Sequence, residues 1–305
     1  MAPSAMTPVT GGALRRLDAG MRILRGRTAV STTVAAVSGL AAVIALGGPA
    51  DAGSRWAPAD TARITPGVQM FTEGAQCTAN FVFTDARKRV YVGYAAHCAG
   101  LGGASETDGC LAPSLPLGAR VDFVQGAGLL SAGEQVGRGR LVYSSWEAMQ
   151  RVGESDPSAC AYNDFALVRV GKRHVRKVNP SVPFFGGPTG LDRDGLDAGE
   201  RVFSYGSSSL RVGSLLSPKR GSALGEEGEG WSHPVYTLSP GIPGDSGSGF
   251  LSPDGKAVGT LSTLALLPRT GSNGVSDLSR ELRYARAHSG IPRLRLVRGT
   301  EPFTG

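Results

Sequence analysis

The segment TANFVFTDARKRVYVGYAA, residues 78–96, has the pattern of a β-hairpin. Two arms rich in β-branched and aromatic residues, 78–83 and 90–96, flank the polar turn residues 85–88. Such side chains fit a pleated, half-buried surface. The segment therefore predicts a pair of antiparallel strands.

The rest of the chain repeats this pattern, with short apolar runs separated by glycine-rich loops. Glycine supplies 45 of the 305 residues and follows no repeat. Strands that recur without intervening helices are typical of barrels and sandwiches and disfavour a parallel α/β sheet. The further predicted strands are 119–124, 140–144, 165–170, 201–205, 234–238, 247–251 and 257–262.

One segment near the C-terminus predicts a helix over about residues 276–288. Leu278, Leu282 and Ala285 recur at helical spacing, and charged residues occupy the other side. Ser276 is expected to cap the first turn. The predicted fold class is therefore all-β with a C-terminal helix.

Composition and charge exclude several classes of protein. With 41% hydrophobic and 19% charged residues, the chain can bury a core, which excludes a disordered protein. The net charge of +7 falls to +4 without residues 1–52, which leaves 27 basic and 23 acidic residues. Arginines crowd between residues 280 and 298 without the interleaved aromatic residues of a nucleic-acid surface. We expect no nucleic-acid partner.

Residues 1–52 have the features of a secretory signal peptide. Five arginines precede an apolar stretch at 29–46, and Ala50-Asp51-Ala52 supplies a small-x-small cleavage site. A membrane anchor is the alternative, but this stretch has too many polar and glycine interruptions to span a bilayer well. We expect cleavage after Ala52, secretion, and a short pro-segment or linker at 53–63. Membrane contact is expected only if the signal stays uncleaved.

Export changes the interpretation of the cysteines. The chain has four, Cys77, Cys98, Cys110 and Cys160. In an oxidising compartment an even set predicts two disulfides, for which the residues alone allow three pairings. No Cys-x-x-Cys motif is present, which disfavours a zinc site. We expect no metal and no cofactor.

Three short motifs carry the candidate chemistry. His97 lies in YAAHC (94–98), Asp164 in NDFALV (163–168) and Ser246 in PGDSGSG (243–249). Alone, each is an ordinary feature: a structural histidine, a strand start, a glycine turn. Together they supply an imidazole base for a serine nucleophile, a carboxylate that orients the base, and glycines that let backbone N–H groups converge on an oxyanion.

With these motifs in the order His, Asp, Ser, the sequence resembles the chymotrypsin/trypsin family of serine proteases, especially its secreted bacterial branch. The resemblance covers roughly residues 64–288 and implies two antiparallel β-barrels with the active site between them. The barrels are expected at about 64–175 and about 176–275, within a protease domain of residues 64–305.

The resemblance also implies roles for single residues. Ser246 would attack the scissile carbonyl, His97 would transfer the proton, and Asp164 would orient His97. The backbone N–H groups of Gly244 and Ser246 would form the oxyanion hole. In the animal branch a newly cut amino terminus pairs with the aspartate before the serine, here Asp245. The start of the domain departs from that pattern, and an internal Arg or Lys is expected to pair with Asp245 instead.

The family's disulfide that braces the histidine loop matches Cys77 and Cys98, which leaves Cys110 to pair with Cys160.

The substrate-binding residues implied by the resemblance are Pro240, Ser262, Thr263 and Leu264. Pro240 stands where members that cut after Lys or Arg carry an aspartate, so a cationic side chain would be desolvated without a partner. Leu264 stands where a glycine keeps the pocket open. We expect cleavage after small or medium apolar residues.

The predicted function is a secreted, monomeric serine endopeptidase that hydrolyses proteins or peptides through an acyl-enzyme. Two alternatives remain open. One is a catalytically silent relative that binds a protein partner, and the other is a membrane-anchored surface protease.

Overall fold

The computed structural model describes residues 55–102, 108–264 and 271–305. The predicted signal peptide lies outside these residues. Within them, the chain forms fourteen strands and three α-helices, and no described helix is both long and apolar enough to span a membrane. The predicted all-β fold with a C-terminal helix is confirmed.

Eight strands form one antiparallel sheet, built from the first half of the chain and the C-terminus. They are β1 (Gln69–Thr72), β2 (Ala75–Thr78), β3 (Val82–Thr84), β4 (Val90–Tyr94), β5 (Arg120–Gly128), β6 (Ser131–Ser144), β7 (Ala166–Val170) and β14 (Arg295–Leu296). Their order is β14-β3-β4-β7-β6-β5-β1-β2. The predicted hairpin is β3–β4, with Val82 opposite Val92.

The other six strands close into a barrel. They are β8 (Arg201–Tyr205), β9 (Pro218–Ala223), β10 (Ser232–Thr237), β11 (Gly249–Leu251), β12 (Ala257–Leu264) and β13 (Asn273–Asp277). The barrel order is β10-β13-β12-β11-β8-β9. Strand β9 was not predicted, because its sequence PKRGSA lacks apolar alternation.

Three helices complete the fold: α1 (Ser145–Val152), α2 (Pro157–Tyr162) and α3 (Leu278–His288). The first two, between β6 and β7, were not predicted. The prediction that Ser276 caps the last helix is wrong. Ser276 lies in β13, opposite Ser232 of β10, and the Asp277 side chain accepts the N–H of Arg280 at 2.7 Å.

The C-terminal tail joins the two groups of strands. β14 pairs with β3 at the edge of the sheet, and Phe303 packs edge-on against Phe203 of the barrel with ring centroids 5.4 Å apart. The amide of Thr300 also donates to Ser181 Oγ at 2.8 Å, in the segment between the sheet and the barrel.

Candidate active site

Strand pairing brings His97 and Asp164 together. His97 lies in a 3-10 turn, Ala96–Ala99, directly after β4, and Asp164 lies just before β7. These strands are neighbours, with Tyr94 opposite Ala166. The His97 amide donates to Asp164 Oδ1 at 2.8 Å, and His97 Nδ1 lies 2.6 Å from Asp164 Oδ2.

The surroundings fix the charges of this pair. Burial alone lowers the pKa of His97, but the charge of Asp164 and its hydrogen bond raise it more, so the net shift is upward. Burial raises the pKa of Asp164, but the charge and hydrogen bonds of His97 and a hydrogen bond from Ser262 lower it below its usual range. Asp164 is therefore a carboxylate that favours the protonated imidazole of His97.

Ser262 lies on β12 and forms a hydrogen bond with the Asp164 carboxylate. Its Oγ donates to Asp164 Oδ2 at 2.6 Å. The sequence predicted Ser262 only as a wall of the substrate pocket, and its part in holding Asp164 was missed. A single serine within a strand carries no sequence signal that would reveal a partner 98 positions away.

The loop that carries Ser246 is fixed against the sheet next to the histidine turn. The carbonyl of Ser246 accepts the N–H of Thr78 at 2.8 Å, and Thr78 Oγ1 donates to the carbonyl of Gly244 at 2.8 Å. Gly247, with a φ of 88°, is so close that a Cβ there would lie 2.9 Å from the amide nitrogen of Ala95. Ser246 is partly exposed.

Backbone amides in this loop divide into bonded and free groups. The amide of Asp245 donates to Ile242, and that of Gly247 donates to Leu261. The amides of Gly244 and Ser246 donate to no acceptor within the described residues. Gly244, with a φ of 95°, carries one of these free amides, and Ser246, two residues later, carries the other. Unbonded N–H groups of this kind are the donors that an oxyanion requires.

Two disulfides flank the histidine and the aspartate. Cys77 bonds to Cys98, the residue after His97, and Cys110 bonds to Cys160 in α2, four residues before Asp164. The pairing implied by the resemblance is the pairing in the structure. Among the described residues, the only clusters with metal-ligand composition contain these bonded cysteines.

A buried ion cluster holds the residue before the serine. The Asp245 side chain is fully buried and contacts Arg211 Nη2 at 2.5 Å and Lys219 Nζ at 3.0 Å. The amide of Ser208 donates to the same carboxylate at 3.0 Å. Burial raises the pKa of Asp245, but the two cations lower it more. An internal arginine and an internal lysine thus occupy the place expected for a basic partner.

The sequence-predicted pocket residues lie in two segments, Pro240 in the loop before Ser246 and the other three on β12. Pro240 is exposed, and its carbonyl accepts from Arg211 Nη2 at 2.5 Å. Thr263 lies on β12 beside Ser262, and the Leu264 side chain lies outside the described residues.

Two further residues near the site were missed by sequence reasoning. The buried Asn273 side chain accepts the N–H of Gly241 at 2.7 Å and donates to the carbonyl of Thr263 at 3.3 Å, so it bridges the two expected pocket walls. Trp146 of α1 is buried with its ring centroid 6.5 Å from that of His97. An isolated Asn or Trp in the sequence gives no sign of such long-range contacts.

Solved structures that are similar to this chain include several proteases. It aligns with Thermobifida fusca Protease A (17% identity, 77% of this chain and 99% of that chain, TM-score 0.46). It also aligns with Nocardiopsis Protease (19%, 76% and 98%, 0.45) and with Cellulomonas bogoriensis chymotrypsin (17%, 77% and 98%, 0.43). No family model and no curated protein sequence matches. Such low identities and TM-scores transfer no activity, so function has to be judged from the site itself.

Proposed function

We propose that this protein is a serine endopeptidase. Ser246 is the nucleophile, His97 the general base and acid, and Asp164 the residue that fixes the His97 tautomer. The amides of Gly244 and Ser246 bind the oxyanion. Attack of Ser246 Oγ on the scissile carbonyl gives an acyl-enzyme, the leaving amine takes the proton from His97, and water then releases the acyl group.

The observation that carries this proposal is the His97–Asp164 pair beside two free loop amides. A buried carboxylate that binds His97 twice, at the backbone N–H and at the imidazole Nδ1, supplies an oriented base. His97 keeps 27% of its side chain exposed, so a substrate can reach it. A purely structural histidine would need neither this exposure nor unbonded amides in the neighbouring loop.

The same features distinguish the proposal from a catalytically silent binding domain. A silent domain has no need for an intact nucleophile, base and carboxylate, and all three residue types are present. Residues 1–52 are proposed to direct secretion, with cleavage after Ala52. The two disulfides are consistent with an oxidising compartment. N-terminal sequencing of secreted protein tests this step, and a retained residue 1–52 segment would favour the anchored alternative.

We further propose that the protein cleaves after small or medium apolar residues. No carboxylate is supplied at Pro240, and the buried Asn273 side chain is hydrogen-bonded to both Gly241 and Thr263, so it would occupy space between the walls of the expected pocket. Replacement of Asn273 by glycine is expected to widen the preference toward larger apolar residues.

A peptide-library digest tests both the activity and the preference. Wild type is expected to cleave within peptides, whereas Ser246→Ala should not, and the exposed Ser214→Ala serves as a matched control that keeps full activity. Equal cleavage by Ser246→Ala would refute the assignment of the nucleophile. Dominant cleavage after Arg or Lys would refute the proposed preference while leaving the reaction type intact.

A further inference from the structure

A second carboxyl group lies buried behind the catalytic aspartate. Glu281, on the inner face of α3, has no exposed surface. Its Oε2 accepts a hydrogen bond from Thr260 Oγ1 of β12 at 2.8 Å. The backbone amide of Asp164 forms a hydrogen bond with Glu281, and the negative charge of the Asp164 carboxylate raises the pKa of Glu281. None of the roles assigned above uses Glu281.

The hydroxyl that binds Glu281 also connects the barrel to the sheet. The side-chain Nδ2 of Asn80 donates to Thr260 Oγ1 at 3.3 Å. The backbone N–H of Asn80 donates to the carbonyl of Gly93, in β4, at 2.9 Å. Strand β4 leads directly into the turn that holds His97. Hydrogen bonds therefore connect Glu281 of α3, through Thr260 of β12 and Asn80, to β4, the strand before His97. The Glu281 end of this series lies next to Asp164.

The surroundings of Glu281 favour an uncharged acid. Burial raises its pKa well above the ordinary value, and the charges of Asp164 and Asp277 raise it further, while the hydrogen bonds from Thr260 and the Asp164 amide offset this only in part. Within the described residues, Oε1 has no hydrogen-bond partner and no cation forms a salt bridge with Glu281. An isolated buried carboxylate would be costly here.

The titratable groups that face Glu281 come from three elements. Asp164 precedes β7, Asp277 precedes α3, and the buried Tyr143 lies on β6. His97 Nδ1 lies 2.6 Å from Asp164 Oδ2, and His233 Nε2 lies 3.0 Å from Asp277 Oδ2. Of the three carboxyl groups, Glu281 is the one that no basic side chain contacts among the described residues.

We propose that Glu281 is a positioning residue for the catalytic carboxylate, a fully enclosed side chain that links Asp164, just before β7, to Thr260 of β12. Loss of its proton at alkaline pH would place a second negative charge beside Asp164 and disturb the His97–Asp164 pair. The proposal deepens the proposed protease function and rests on it for its effect on catalysis.

Unfolding equilibria measured against pH test the neutral acid without reference to activity. Glu281→Gln keeps the shape and the acceptor oxygen of the neutral acid but cannot ionise. Above the ordinary glutamate pKa of about 4.3, wild type must release a proton on unfolding. Its unfolding constant, relative to that of Glu281→Gln, should therefore rise about tenfold per pH unit until Glu281 ionises in the folded protein. The exposed Glu229→Gln is the matched control and should show no such trend.

Peptide hydrolysis tests the positioning role. Glu281→Ala is expected to lower kcat more than it raises KM, and Glu281→Gln to restore kcat at neutral pH. At alkaline pH, Glu281→Gln should keep activity that wild type loses. The acid limb set by His97 should coincide in wild type and Glu281→Gln, because the side chain at position 281 is uncharged in both.

The two arms separate the possible failures. If no variant hydrolyses peptides but the tenfold trend is present, the protease function is wrong and the neutral acid stands. If wild type is active and its unfolding shows the same pH dependence as Glu281→Gln, the proposal is overturned. A kcat of Glu281→Gln as low as that of Glu281→Ala would also overturn it. If Glu281→Ala does not fold, the comparison of wild type with Glu281→Gln still provides both tests, the pH dependence of unfolding and the loss of activity at alkaline pH.

Discussion

Replacement of Asp245 by asparagine should destabilise the protein strongly, because this carboxylate neutralises two buried cations. Its side chain and that of Lys219 are fully buried, and the Arg211 side chain keeps only 6% of its surface exposed. The cluster carries one negative and two positive charges. Asp245→Asn leaves both cations buried without an anion, a change that typically costs about 3–5 kcal/mol.

Lys219→Met is the contrasting variant. It leaves the Arg211–Asp245 pair intact and brings the charge of the cluster to zero, so we expect a loss of less than about 1.5 kcal/mol, as for a volume-conserving core replacement. Urea unfolding of both variants at neutral pH measures the difference. Because the folded-state pKa of Asp245 is lowered, its contribution is present at neutral pH and should fade as the pH falls through that lowered value. Equal losses for Asp245→Asn and Lys219→Met would refute the assignment of Arg211 as a sufficient partner.

Three further predictions concern the site and its supports. The acid limb of kcat/KM should lie above the reference value of about 6.5, because Asp164 raises the pKa of His97; a limb well below it would contradict this pairing. Ser262→Ala removes a hydrogen bond to a carboxylate, worth about 1.5–3 kcal/mol, and should lower kcat/KM roughly 10- to 100-fold; Ser222→Ala on β9 is its control, and equal rates would count against the role. Removal of the Cys110–Cys160 disulfide, which closes a separation of 50 residues, should cost about 4 kcal/mol in the chain-entropy model, and unchanged urea stability would contradict it.

The sequence predicted those strands and helices whose pattern of apolar and polar residues lies within one short segment. The β3–β4 hairpin has apolar arms and a polar turn within 19 residues, so its strands and their pairing follow from neighbouring residues. Strand β9 was not predicted because it forms through pairing with β8 and β10, which lie far away in the sequence. The letters PKRGSA also give no sign that Lys219 is buried. Helix α2 had usable signals in Asp156 as N-cap and Pro157 at its first position.

The candidate site divides in the same way. His97, Asp164 and Ser246 stand in motifs whose residue order could be read directly. Contacts around them, such as Arg211 with Asp245 and Glu281 with Thr260, join segments far apart in the chain. Their roles depend on burial and on partners that only the fold brings together, so composition and spacing could not reveal them.

Covalent labelling of Ser246 tests the central claim most directly. A fluorophosphonate reacts with a serine hydroxyl only where a base and an oxyanion site activate it. Incubation of the purified protein with this reagent, followed by peptide mass mapping, should place one adduct on Ser246, and His97→Ala should lose the adduct while remaining folded. A folded wild-type protein that takes no label at Ser246, or a His97→Ala variant that labels as fast as wild type, would contradict the proposed function.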